Sequence, residues 1–349
     1  MRRAEAMPME PPLAAPQHHQ QPPVAAAARK QLSRFGRGSS RYDYVKVRVW
    51  IDGHYHVLSR FLLTRLLCMC RVPSKTALRV ALDLKKRLVD ERKFDLSHTE
   101  LQSKLFELMA EYGCSTAHCA RYSNVIQFYH KRVPIIILVG GVCVPAAFAL
   151  QLAARLNISA LIRTDYVFDM LCATAGSPGP GCAHHAMYQH IWAQPFASKQ
   201  ELVAAFREQA ERVRCALRSE FNKALTDGKS LIVEGIHVDP EMYLDLVLSS
   251  GVGTERPETQ AEVPHIGVPI VLSMAPGENA EPWYLLAVHE RLNFDVASQN
   301  MSWLNEHFEE QAAALHALHH VMEVHKSVEA VEVVHELVMD TLESSFACT

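Results

Sequence analysis

The stretch that decides the fold is Val133-Pro134-Ile135-Ile136-Ile137-Leu138-Val139-Gly140-Gly141-Val142-Cys143-Val144-Pro145-Ala146-Ala147-Phe148-Ala149-Leu150-Gln151-Leu152-Ala153-Ala154, 22 residues without a charge between Arg132 and Arg155. About 20 apolar residues suffice to span a bilayer as a helix. Pro134, Gly140-Gly141 and Pro145 punctuate this run, however, and Ile135–Val139 is short, β-branched and apolar at every position, as a strand buried on both faces must be. The reading is strand, glycine turn, then a helix over Phe148–Leu156, with no membrane span.

Downstream, strand and helix patterns alternate. Strands are expected at Ile135–Val139, Ala160–Ile162, Ser230–Val233 and Val268–Met274, with a long helix through Glu201–Leu225. Alternation of this kind predicts a parallel sheet with helices on both faces. Gly176-Ser177-Pro178-Gly179-Pro180-Gly181 is a loop by composition, Gly251–Pro264 reads as an insertion, and Asp239 should N-cap a helix opened by Pro240. Asn305–Ser345, rich in Glu and His, reads as continuous helix, with Leu304, Phe308, Ala312, Leu315 and Leu318 as its apolar stripe.

Upstream, Tyr44–Ile51 alternates apolar and polar, Asp52-Gly53 makes a turn and His54–Leu58 returns, which predicts a hairpin. Ser59 should cap a helix from Arg60. Pro73-Ser74 opens another, with Ala77, Val80, Ala81, Leu84 and Leu88 inward. Ser97-His98-Thr99-Glu100 has the form of a capping box ahead of a third, with Leu101, Leu105 and Met109 inward. The expected division is a tail at 1–42, a small α+β domain at 43–125 and the α/β domain at 126–349. Six of the 18 prolines and eight alanines fall in the first 40 residues, a composition that predicts disorder.

The whole chain has 349 residues, 49% hydrophobic, with 35 basic against 38 acidic side chains and a net charge of -3. That suits a globular protein of about two domains and excludes a partner held by its phosphate backbone, so no nucleic acid is expected. The nine cysteines, odd in number and scattered, point to a reducing compartment. An intracellular place, cytoplasmic or nuclear, without organelle targeting, is the expectation. Cys182 with His184, His185 and His190 has metal-ligand residue types but no zinc-site spacing, and Cys114 with His118 and Cys119 reads as a helix end, so no metal site is assigned.

The strand–turn–helix at Ile135–Leu156, Arg163-Thr164-Asp165 after a short strand, and Leu231-Ile232-Val233-Glu234-Gly235-Ile236-His237-Val238-Asp239-Pro240 together resemble the plant P-loop proteins related to 2-phosphoglycerate kinase, the group that includes the low-phytic-acid proteins. The likeness runs from Tyr42 to the C-terminus. It implies an ATP-cone-like first domain, a P-loop NTPase-like second domain, ATP and Mg as cofactors, a phosphorylated small molecule as partner, and a link to inositol phosphate metabolism. It further implies a phosphate-binding loop at Gly140, Gly141, Val142, Cys143 and Val144, with catalytic carboxylates at Asp165 and Glu234.

The loop departs from that pattern. A working P-loop supplies backbone N–H groups, a Lys for the β and γ oxygens and a hydroxyl for magnesium. Here no Lys occurs between Lys131 and Lys199, no Ser or Thr lies from Gly140 to Leu156, and Pro145 has no N–H to offer. Arg155 should point away from the helix start. Arg163 is the better anion contact, its alternative being an ion pair with Asp165 or Glu234. His237 holds its loop or orients a substrate. Arg291, within His289-Glu290-Arg291, is the remnant of a lid, and the last sheet strand is expected to be absent. Phosphoryl transfer should be weakened or lost. The alternatives are an active ATP-dependent small-molecule kinase and a non-catalytic interaction module built on the acidic C-terminal helices.

Overall fold

The structure is a computed structural model that describes residues 41–347 except 52, 132, 143, 175–189, 249–264, 275–292, 316 and 323–326. The expected 176–181 loop and 251–264 insertion lie outside the described residues.

After a helical turn at Arg41–Tyr44, β1 (Arg48–Ile51) and β2 (His54–Val57) pair antiparallel, and β3 (Asp95–Ser97) joins β1 in parallel. Gly53 stands in the turn at φ 82, a left-handed conformation that glycine adopts without a Cβ penalty. Four helices follow in this unit: α1 (Arg60–Met69), α2 (Ser74–Asp90), α3 (His98–Glu111) and α4 (Thr116–Lys131). The stripe read from sequence on α2, Ala77, Val80, Ala81, Leu84 and Leu88, is fully buried. Ser59 Oγ accepts from the Leu62 N–H and Ser97 Oγ from the Glu100 N–H, so both expected caps form. The Glu100 carboxylate bonds Lys93.

The second unit is a five-stranded all-parallel sheet. Its strands are β4 (Ile135–Gly140), β5 (Ala160–Arg163), β6 (Leu231–Gly235), β7 (Ile266–Met274) and β8 (Leu318–Met322), in the order β5-β6-β4-β7-β8. It is a P-loop NTPase-like arrangement, with α5 (Ala146–Arg155), α6 (Thr164–Thr174), α7 (Lys199–Asp227), α8 (Leu244–Leu248), α9 (Phe294–Leu315) and α10 (Ser327–Ala347) over its faces. Every residue of β4 is buried. By the two-residue period of a strand, Ile135, Ile137 and Val139 pack beneath Phe148, Ala149 and Leu152 of α5, while Ile136 and Leu138 meet Phe168 of α6 and Val213, Leu217 and Phe221 of α7. The uncharged run is thus a central strand, a turn and a helix, and no described helix is long and apolar enough to cross a membrane.

One expectation is overturned. Asn305–Ser345 is not a single helix: α9 ends at Leu315, Leu318–Met322 forms β8, and α10 starts at Ser327. The last sheet strand is therefore present. Pairing with β7 from Ile270↔Leu318 to Met274↔Met322 outweighs the local helical pattern, and Ser273 Oγ lies 2.7 Å from His319 Nε2 across the pair.

The C-terminal helix α10 packs on α4, α5 and β7. Ala330, Val334, Val338 and Leu342 enter the core that α1 to α5 share. Its acids turn inward on the chain's own arginines: Glu332 meets Arg71 and Arg155, Glu336 meets Arg71 and Arg121, and Glu343 meets Arg121.

Phe148, fully buried, roots α5 on the sheet. Phe148→Ala is expected to cost about 3–5 kcal/mol, read from a denaturant melt. A loss below about 1 kcal/mol would mean that α5 does not pack there.

Candidate functional site

Open α/β sheets bind ligands beyond the carboxyl ends of their strands, and that edge is where the candidate residues gather. Its backbone is set by three glycines. A Cβ on Gly140 would stand 2.2 Å from the Val238 carbonyl oxygen, and one on Gly141, at φ 153, 2.2 Å from the Leu272 carbonyl oxygen. At Gly235, φ 129, it would stand 2.2 Å from Thr164 Oγ1. Strands β4, β6 and β7 and the start of α6 therefore approach as closely as they do only because no side chain intervenes.

The turn after β4 is pinned by apolar contacts. Val142 packs with the cluster around Leu304 and Phe308 of α9, and Val144 with the core beneath α5. The helix begins at Ala146 after Pro145, whose side chain forms no cap. Cys143, inside the turn, and Arg291 lie outside the described residues, as do Cys182, His184 and His185. Arg155, at the far end of α5, is bound to Glu332 and takes no part in the turn.

Arg163, Asp165 and Glu234 are brought together. Arg163 and Glu234 are neighbours in the β5–β6 ladder, and Arg163 Nε stands 3.1 Å from Glu234 Oε1. The guanidinium also lies 4.7 Å from the centre of the Tyr166 ring and donates to its hydroxyl at 2.9 Å. Glu234 is 2% exposed, and neither carboxylate oxygen has a well-aligned hydrogen-bond partner. Burial pushes its acid up to about 7, against the pull of Arg163 and with a further push from Asp165. Asp165, in the first turn of α6, is raised by loss of water, with His190 and Arg163 opposing.

The Glu-Gly-Ile-His-Val-Asp-Pro string folds into a fixed loop. The His237 N–H donates to Thr164 Oγ1 at 3.4 Å, its ring stacks 5.1 Å from Phe168, and Nε2 lies 3.3 Å from Gln209 Oε1. Nδ1 faces Asp165 at 3.8 Å. Burial pulls this imidazole down to about 3, so it is neutral at ordinary pH. Asp239 caps the 3-10 turn Pro240–Tyr243 through the Glu241 N–H at 3.0 Å, as its position before Pro240 implied. Its other oxygen takes a 2.8 Å hydrogen bond from His307 of α9.

Sequence reasoning did not single out His307, Gln209 or Thr164. Two of them carried a readable signal: Gln209 is a polar residue on the otherwise apolar buried stripe of α7, beside Phe206 and Ala210, and His307, like Asn300, interrupts the mainly apolar stripe of α9, beside Leu304 and Phe308.

The residues at the turn do not fit a magnesium triphosphate. Loop positions 140–148 hold neither a cation nor a hydroxyl, and the neighbouring cation, Arg163, is held by Glu234. A phosphate there has to compete with that carboxylate, and moving Arg163 away leaves a buried acid uncompensated. Among the described residues no three His, Cys, Asp or Glu side chains are grouped to hold a metal ion.

No family model matches the chain. Curated relatives do. The 2-phosphoglycerate kinase of Pyrococcus horikoshii is 26% identical over 186 residues, 52% of this chain and 61% of the relative. That of Methanococcus vannielii is 25% identical over 192 residues, 52% and 60%, and that of Methanopyrus kandleri 24% over 202 residues, 56% and 61%. The matches thus span about three fifths of each relative's length. They mark a distant relationship to the archaeal 2-phosphoglycerate kinases.

The buried acid gives a pH signature. Glu234 holds its proton more tightly when folded, at about 7, than at its ordinary 4.5, so its contribution is favourable below that ordinary value and is lost as pH rises through 7. Glu234→Gln should melt progressively higher than the parent protein as pH goes from about 5 to about 8. Parallel melting profiles across that range would show that the carboxyl is not perturbed.

Proposed function

We propose that this chain is a divergent 2-phosphoglycerate kinase-like protein whose own phosphoryl transfer is weakened or lost, with residues 43–125 as an ATP-cone-like unit and 126–349 as the P-loop-like unit. The observation that carries the reading is the Arg163–Glu234 pair beside a turn that has no lysine and no hydroxyl. Positioning and charge stabilisation are nearly all that a phosphotransferase protein supplies to the transferring phosphoryl group, and the cation that could supply the charge here is already engaged. The frame that a kinase needs is kept: a glycine turn between central strand and helix, an acid at the end of the adjacent strand, and a second acid opening α6. The archaeal relatives named 2-phosphoglycerate kinase support the kinase-like frame.

In this reading the cleft holds a phosphorylated small molecule feebly. ATP and Mg are the inherited cofactors, bound weakly at Gly140, Gly141, Val142, Cys143 and Val144. The resemblance to the plant low-phytic-acid proteins assigns the role to inositol phosphate accumulation. Asp165 and Glu234 keep the positions of a substrate-side and a metal-side carboxylate without the cation that completes them. On α10, Glu332, Glu336 and Glu343 are paired within the chain, while Glu329 and Asp340 are exposed.

Isothermal titration of the chain with Mg-ATP tests the proposal. The expected dissociation constant is weaker than about 1 mM. Micromolar affinity abolished by Arg163→Ala would replace it with the opposite reading, an active small-molecule kinase in which Arg163 leaves Glu234 to take the phosphates.

A further inference from the structure

A cavity of about 610 Å³ opens where the α1–α2 turn meets the last turn of α5 and the face of α10, with Cys68, Arg71, Ser74, Arg155, Glu332 and His335 on its wall. It is a groove open to solvent, and its volume falls in the range of small-molecule sites.

The charges are arranged around one carboxylate. Arg71 reaches Glu332 from the N-terminal unit at 3.4 Å and Arg155 reaches it from α5, so two guanidiniums carried by different parts of the fold share a single acid. Arg71 is also bonded to Glu336, which Arg121 shares, so Glu332 and Glu336 together balance the two guanidiniums on this wall, and the feature that remains is their convergence on the Glu332 carboxylate from two sides. His335, 2% exposed, donates from Nε2 to the Met69 carbonyl at 2.9 Å, and burial lowers its basicity, which makes it a neutral wall element.

Arg71 itself sits at φ 66, where it follows α1 and its N–H donates to the Cys68 carbonyl at 3.0 Å. Glycine or asparagine usually takes that left-handed position after a helix. An arginine there is unfavourable for the backbone, as is Arg92 at φ 57 after α2.

We propose that this junction cavity is a second anion site, distinct from the carboxyl edge of the sheet, that takes a phosphorylated small molecule between Arg71 and Arg155. Planar guanidinium forks match phosphate oxygens in pairs. Glu332 occupies the place of that phosphate while the site is unliganded, and the incoming group displaces it. The uncapped first turn of α2 opens on the same wall and adds N–H donors. Because Arg155 closes the helix that begins at the glycine turn, a ligand here bears on the far end of the element that shapes the sheet-edge site.

Pyrophosphate is the probe. It is titrated calorimetrically into the full chain carrying Arg163→Gln, which removes the cation of the sheet edge, at low salt and fixed pH. Removing the competing carboxylate by Glu332→Gln should tighten binding by roughly threefold or more, and Arg155→Gln should weaken it by about tenfold. Binding indifferent to both substitutions, or no binding even with Glu332→Gln, would overturn the assignment. The gain expected for Glu332→Gln cannot arise from misfolding. Because the readout excludes Arg163, its failure is separate from failure of the sheet-edge reading.

Discussion

A carboxyl group shut away from water at the end of a strand has to be neutralised, by a proton or by a cation. Glu234 is that group, and much of the chemistry at the sheet edge follows from how it is satisfied. Arg163, its ladder neighbour, is drawn to it at 3.1 Å and anchored from the other side by Tyr166. In a P-loop with its lysine in place, an acid here works alongside a separate phosphate cation. Without that lysine, the cation at this edge is the arginine already paired with Glu234, which offsets only part of the acid's burial. The two demands compete, and the compromise is an acid that titrates near neutrality beside an arginine with little left to offer.

The backbone around this pair resembles an active frame more than the side chains do. Gly140, Gly141 and Gly235 allow carbonyls and a threonine hydroxyl to come within distances that any side chain would block. Asp239 and His307 lock the loop after β6 to α9, and Val142 and Val144 fill the positions around the turn with apolar packing. These contacts involve the chain's own side chains and no anion. A fold of this kind can lose its cation and its metal-binding hydroxyl without losing stability, since neither belongs to the core.

Much of the architecture was legible from short, strongly patterned segments. Ile135–Val139 can only be a strand buried on both faces once Gly140-Gly141 and Pro145 are seen, and the apolar stripe of α2 reads directly as helix. The strand Leu318–Met322 was not legible. Leu318-His319-His320-Val321-Met322 continues a helical run of Glu and His residues, and only hydrogen bonding to β7 makes it extended. The sites were half legible for a similar reason. Strand ends located Arg163, Asp165 and Glu234, but whether Arg163 would face solvent or Glu234 depends on burial that no local pattern encodes. His307 and Gln209 were visible only as polar interruptions of apolar stripes, and their partners Asp239 and His237 lie 68 and 28 residues away in sequence.

The most direct test of a cradle without its cation is the response of its own amides. Backbone chemical shifts of Gly140, Gly141, Val142 and Val144 can be followed while a magnesium complex of a non-hydrolysable ATP analogue is added. The expected result is no saturating movement up to about 1 mM ligand. Saturation of those four amides in the micromolar range, with Arg163 released from Glu234, would contradict the account.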